Sequence, residues 1–222
     1  MLLRRAAWSI LLGYMFFLLS ACQVPRASQY NNAAMYHTQL GLAYLQQGQI
    51  ARAKHNLLIA IALQPNSEYP YLGMAYFLEQ SGDIDQAHTY YLKALHMSHE
   101  SSAQLNNYAV FLCKHKQYNL AKHYFLRAAH DIHYLNNAQA YANAGFCAVT
   151  QKKSSQAIVF LHQAMQHDPN RKEVLVQLLQ LEIKLKRYED ALKVVNDYND
   201  QVQKYPELLA LAMQARQGAN QY

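Results

Sequence analysis

The feature that most constrains this chain is that it repeats itself. Ala121, Phe125 and Ala128 form a small–large–small pattern that returns as Ala157, Leu161 and Ala164. Earlier copies are Ala87, Tyr91, Ala94 and Ala53, Leu57, Ala60, and a fading one follows at Ala191, Val195, Tyr198. The leading alanines lie 34, 34, 36 and 34 residues apart. Positions i, i+4 and i+7 share one stripe of a helix, so each copy marks a helix with one face to bury. Self-similarity at this period describes stacked supersecondary units, none of which can cover its apolar face alone.

About twelve residues before each alanine runs a second small column: Gly41, Ala75, Ala109 and Gly145, with Leu179 as the exception. Two antiparallel helices that cross closely need small residues at the contact. Pro65 and Pro169 stand where the chain must leave one unit for the next, and proline stops a helix because it lacks the backbone donor. The boundary after the third unit has no proline and is two residues longer. A helix-turn-helix unit of this length is the tetratricopeptide repeat. The expected fold is therefore all-α, a superhelical tetratricopeptide solenoid with repeats at about 34–67, 68–101, 102–137, 138–171 and 172–205. The fifth is weak, with Leu179 in the small column and Glu182 at an apolar position; a helix within 206–217 is expected to cap the stack.

The chain opens differently. Arg4 and Arg5 precede an apolar run from Ala6 to Leu19, then Leu19-Ser20-Ala21-Cys22. The run is short for a spanning helix, which needs roughly 20 residues, and the order of features is that of a targeting segment. Leu-Ser-Ala-Cys resembles a bacterial lipobox, with 1–21 as signal peptide and Cys22 as the lipidated first residue of the mature protein. An ordinary signal peptide or an uncleaved anchor is the alternative. Gln23 after the cysteine resembles lipoproteins sorted to the outer membrane. Residues 22–33, with Pro25, Ser28 and two asparagines, read as a short tether.

With Cys22 lipidated, Cys113 and Cys147 remain. They fall near the ends of the first helices of the third and fourth repeats, which should lie side by side. In an oxidising compartment a disulfide persists, provided the Cα atoms approach within about 7 Å; the other reading is two buried thiols acting as small apolar residues.

The first helix of each repeat lines the concave side of such stacks. One column there reads Gln39, Gly73, Asn107, Asn143 and Gln177. An amide offers donor and acceptor, so a row of amides can pair with the main chain of an extended peptide, or else with water and neighbouring helices. Leu42, Leu45, Leu72 and Tyr76 should add an apolar patch to the same side, a partner site if clustered and plain core if not.

The eleven histidines include the pairs His96/His99 and His130/His133, yet no spacing matches a metal motif, and none is expected to bind metal. No nucleophile elbow, phosphate-binding glycine loop or catalytic carboxylate pair occurs, so neither an enzyme, a cofactor nor a small-molecule substrate is expected. Without Arg4 and Arg5 the formal charge falls from +6 to +4. The lysines read as scattered, so nucleic acid is not implied.

Gln39–Gly48 (Gln-Leu-Gly-Leu-Ala-Tyr-Leu-Gln-Gln-Gly), Leu105–Cys113 (Leu-Asn-Asn-Tyr-Ala-Val-Phe-Leu-Cys) and Asn143–Ala148 (Asn-Ala-Gly-Phe-Cys-Ala), together with the lipobox, resemble the type IV pilus biogenesis and stability lipoproteins. The resemblance covers essentially the whole chain. It implies an outer-membrane, periplasm-facing lipoprotein serving as pilotin or assembly factor for the pilus secretin. That family is usually described with six repeats, so the C-terminal end departs from it. A tetratricopeptide adaptor for another periplasmic machine, such as cell-wall enzymes, is the alternative.

Overall fold

A computed structural model describes residues 26–221, with side chains from Asn32 onward. The expected leader over 1–21 and the lipidation candidate Cys22 lie outside the described residues. The chain divides into two compact units between Met97 and Ser98. The first holds α1 (Arg26–Gln46), α2 (Ile50–Leu63), α3 (Glu68–Gln80) and α4 (Ile84–Met97). The second holds α5 (Ser102–Lys114), α6 (Tyr118–Ala129), α7 (Asn137–Thr150), α8 (Ser154–His167), α9 (Lys172–Lys184), α10 (Tyr188–Asp197), α11 (Asn199–Lys204) and α12 (Pro206–Ala219). This is the expected all-α tetratricopeptide solenoid.

One local device makes every repeat. The first helix of each pair ends in a residue of left-handed backbone: Gly48 (φ 71°), Gly82 (φ 83°), Lys116 (φ 62°), Lys152 (φ 60°) and Lys186 (φ 58°). The next residue donates its N–H back to the carbonyl five positions earlier. The pairs are Gln49 to Tyr44, Asp83 to Leu78, Gln117 to Leu112, Lys153 to Ala148 and Arg187 to Glu182, all at 2.8–2.9 Å. That is a Schellman stop, which satisfies carbonyls the helix leaves over and reverses the chain at once.

The second helix then packs along the first through the two small columns. Ala53, Ala87, Ala121, Ala157 and Ala191 are all fully buried. A β-carbon on Gly41 would stand 2.8 Å from Leu57 Cγ, and one on Gly145 would stand 2.6 Å from Leu161 Cδ2. Only glycine admits these approaches. They let Leu57, Leu161 and their counterpart Phe125 become core residues, each contributing about 1.5–3 kcal/mol by leaving water. In the fifth repeat Leu179 fills the small column, fully buried, and α9 and α10 pack less extensively than the other pairs.

Two boundaries differ from expectation. Helix α1 starts at Arg26, inside the stretch read as tether, because Arg26 to Ala34 contains neither glycine nor proline to oppose a helix. At the other end the chain makes α11 before the capping segment, and that segment is α12, Pro206–Ala219. It buries Leu208, Ala212, Ala215 and Gly218. A β-carbon on Gly218 would meet the Tyr188 ring at 2.2 Å, so glycine seats α12 against α10. Its outer face presents Glu207, Gln214 and Gln217.

Candidate functional site

In the first unit, α1 and α3 lie side by side. Gly73, the one member of the amide column without an amide, owes its identity to this contact: a β-carbon there would come within 2.7 Å of Thr38 Cγ2 and 3.0 Å of Leu57 Cδ2. Thr38 is fully buried and donates its hydroxyl to the Ala34 carbonyl at 2.9 Å. Gln39 is exposed; Leu42, Leu45 and Leu72 are half-buried, and Tyr76 is 39% exposed. These four apolar side chains, on the adjacent helices α1 and α3, thus each keep part of their surface open. Tyr91 ties α4 to α3, its hydroxyl donating to Glu79 Oε2 at 2.8 Å. Burial and that carboxylate raise the phenol well above its ordinary range, so it stays neutral.

In the second unit the amides are already engaged. Arg171 Nη1 donates to Gln139 Oε1 at 2.6 Å, Gln139 Nε2 to Asn143 Oδ1 at 2.9 Å, and Asn143 Nδ2 to Asn106 Oδ1 at 3.0 Å. Asn107 Nδ2 donates to Gln104 Oε1 at 3.1 Å. Gln177, on α9, is half-buried. An amide has two N–H groups and two lone pairs, so Asn143 has one of each beyond these two bonds, which link it to Gln139 on α7 and Asn106 on α5.

Cys113 and Cys147 are joined as a disulfide, Cα atoms 6.0 Å apart and 34 residues apart in sequence. It staples the ends of α5 and α7. Beside it lies a pocket of about 310 Å³ walled by Val110, Tyr118, Phe125 and Phe146 together with the cystine, with Lys114, Lys116, Asn143 and Thr150 at its polar margin.

Glu182, the misfit of the fifth repeat, is fully buried. Its carboxylate lies 3.2 Å from Arg187 Nε and 3.8 Å from His162 Nε2, yet neither oxygen accepts a hydrogen bond. Arg187 is shared with Asp190 at 2.8 Å. Loss of water around Glu182 raises its pKa, Arg187 opposing and Asp190 reinforcing the rise; loss of water around His162, then Arg187, lowers the imidazole.

Among the described residues no three His, Cys, Asp or Glu side chains gather as a metal site, and no described helix is long and apolar enough to cross a membrane. The sequence reading missed Ile132 and Leu135, 87% and 97% exposed on the long α6–α7 connection. Asp131 braces that loop, accepting from Ser102 Oγ at 2.5 Å and from the His133 N–H at 2.9 Å, bonds that hold its carboxyl below the usual range. The two-residue insertion after Ala121 was the one signal for it.

Comparison with known proteins agrees with this geometry. The tetratricopeptide-repeat pattern matches residues 34–67 and, in a second form, 148–215. A Haemophilus influenzae protein of uncharacterised function is 31% identical over 159 residues, covering 71% of this chain and 89% of that one. The type IV pilus assembly protein PilF of Pseudomonas aeruginosa is 29% identical over 152 residues, covering 68% of this chain and 60% of PilF. The solved PilF structure superposes with a TM-score of 0.67 at 26% identity, over 87% of this chain and 90% of that chain. PilW, a widely conserved type IV pilus biogenesis factor, shares the fold with a TM-score of 0.63 at 22% identity, over 85% of this chain and 91% of its own.

The chain is thus a tetratricopeptide-repeat protein. It belongs to one family with the Haemophilus influenzae protein and is related to the pilus assembly protein PilF.

Proposed function

We propose that this chain is an outer-membrane lipoprotein of type IV pilus biogenesis, anchored through Cys22 and facing the periplasm, and that it is a binding scaffold and not an enzyme. It holds a segment of the pilus secretin, or of another pilus component, so that the channel is assembled, located or kept stable. The observation that carries this reading is the similarity to PilF in both sequence and fold. In the first unit Leu42, Leu45, Leu72 and Tyr76 supply apolar contact beside Gln39; in the second, Asn107, Asn143 and Gln177 offer amides for pairing with the main chain of an extended segment. A lipid of several acyl chains gives stable attachment, each buried methylene contributing roughly 0.8 kcal/mol.

The test is affinity purification of the lipidated chain from its own outer membrane after mild crosslinking, with mass spectrometry of what accompanies it. Recovery of the pilus secretin or a partner of its assembly supports the reading. Recovery of cell-wall enzymes or another secretion machine, with no pilus protein, overturns it.

A further inference from the structure

We propose that the disulfide-stapled end of the third and fourth repeats is a second ligand site, which takes an acidic peptide segment carrying an aromatic or branched aliphatic side chain. It shares Asn143 with the amides proposed above to pair with a partner and otherwise uses other residues.

The first observation is where the lysines are. In sequence they look scattered, yet they recur at the repeat period, at the same position of successive turns. Lys116 and Lys152 occupy the left-handed position of their turns, 36 residues apart, and Lys186 follows 34 residues later. The first unit places Gly48 and Gly82 at that position, the residue that adopts this backbone without steric cost. Three lysines in place of glycine, each held in a conformation that disfavours any β-carbon, indicate that the side chain is wanted there. Lys153 and Lys114 flank the same turns.

The second observation is the balance of charge. From Lys114 to Lys153 the chain carries six lysines and arginines and one carboxylate, Asp131; of the six, Arg127 is paired with Glu100 and the other five are lysines. No acidic side chain borders the pocket beside the cystine. Its floor is apolar and aromatic, and at about 310 Å³ it is at the small end of ligand sites, of a size for one large side chain. Lys116 stands at its rim, and Thr150, two residues before Lys152, stands there too. Asn143, which borders the pocket, has one N–H and one lone pair beyond those its bonds to Gln139 and Asn106 use. A lipid surface or a nucleic acid backbone would use the lysines but leave the aromatic pocket idle. A peptide with an apolar side chain between carboxylates uses both.

The experiment measures fluorescence anisotropy of a labelled octapeptide alternating glutamate and phenylalanine, titrated with the full chain in detergent. Controls are a lysine–phenylalanine octapeptide, a glutamate–glycine octapeptide, vesicles of anionic phospholipid and a single-stranded oligonucleotide. The chain is expected to bind the first peptide about tenfold more tightly than either peptide control, less so in high salt. The double variant Lys116→Gly, Lys152→Gly relaxes both turns, so it should melt no lower than the wild type while losing about five- to tenfold in affinity. Equal binding of the three peptides, unchanged binding by the glycine pair, or lysine-dependent binding of vesicles or oligonucleotide without the peptide would each overturn the proposal.

Discussion

The two units build the same helical hairpin from different material. The first unit turns on Gly48 and Gly82, and its first-helix face is part-open leucine and tyrosine; from Arg26 to Met97 its positive and negative side chains balance. The second turns on Lys116, Lys152 and Lys186, binds its amides into an internal chain, adds a cystine, and is basic. The backbone pattern sets only the requirement for a left-handed residue and two small columns. What fills the remaining positions is free to specialise, and here one unit offers apolar surface and the other charge with rigidity.

The largest expected effect that separates them is removal of the cystine. It closes a loop of 34 residues, so Cys113→Ser with Cys147→Ser should cost roughly 3–4 kcal/mol. Hydrogen exchange should show protection lost in α5 to α8 and retained in α1 to α4; equal loss in both units would break the distinction. Next is the apolar face: Leu45→Asp places a carboxylate on a half-buried surface position and should weaken partner binding about tenfold or more, with the helical circular dichroism unchanged. Unaltered binding would remove that face from the site.

A third effect concerns Glu182. Its pKa is raised in the fold from an ordinary value of 4.5, so the folded state holds the proton more firmly than the unfolded chain. Stability attributable to Glu182 is therefore highest below the ordinary carboxyl range and declines as pH rises through the raised value. Glu182→Gln should be the more stable protein at neutral pH, by about 1 kcal/mol or more, and the gap should close on acidification. Comparing the two proteins also separates Glu182 from His162, whose lowered pKa acts in the opposite direction: its contribution is present above 6.5 and lost as pH falls below that value. The smallest effect is a swap of turn residues. Gly48→Lys should cost up to about 1 kcal/mol and Lys186→Gly should return a similar amount, measured by thermal melts.

Most of the fold was legible because its constraints are local and recur. The alanine column, Gly41 and Gly145 are forced by helix crossing, and forced residues announce themselves at a fixed period. The start of α1 was missed because Asn31, Asn32 and Ser28 are weak helix formers that nonetheless contain no stop. Gly73 looked like a gap in a functional column until the contact with Thr38 accounted for it. Asn143 was found as an amide, but its bonds to Gln139 and Asn106 connect residues on different turns and helices, which spacing alone does not reveal. The lysine pattern was hidden for a related reason: Lys116, Lys152 and Lys186 share the left-handed position of their turns, which sequence shows only once the turns are placed. Glu182 was recognised as out of place, while its partner Arg187 lies across a turn that reverses the chain.

We propose that the part-open apolar face of the first unit holds a pilus assembly protein. It is tested most directly by placing a photo-crosslinking residue at Tyr76, and separately at Lys116, in the full chain in its own cells. Tyr76 is expected to capture the pilus secretin or a protein that assembles with it, at a yield that Leu45→Asp abolishes. If Tyr76 captures no pilus protein, or captures the same one regardless of Leu45→Asp, the claim is wrong.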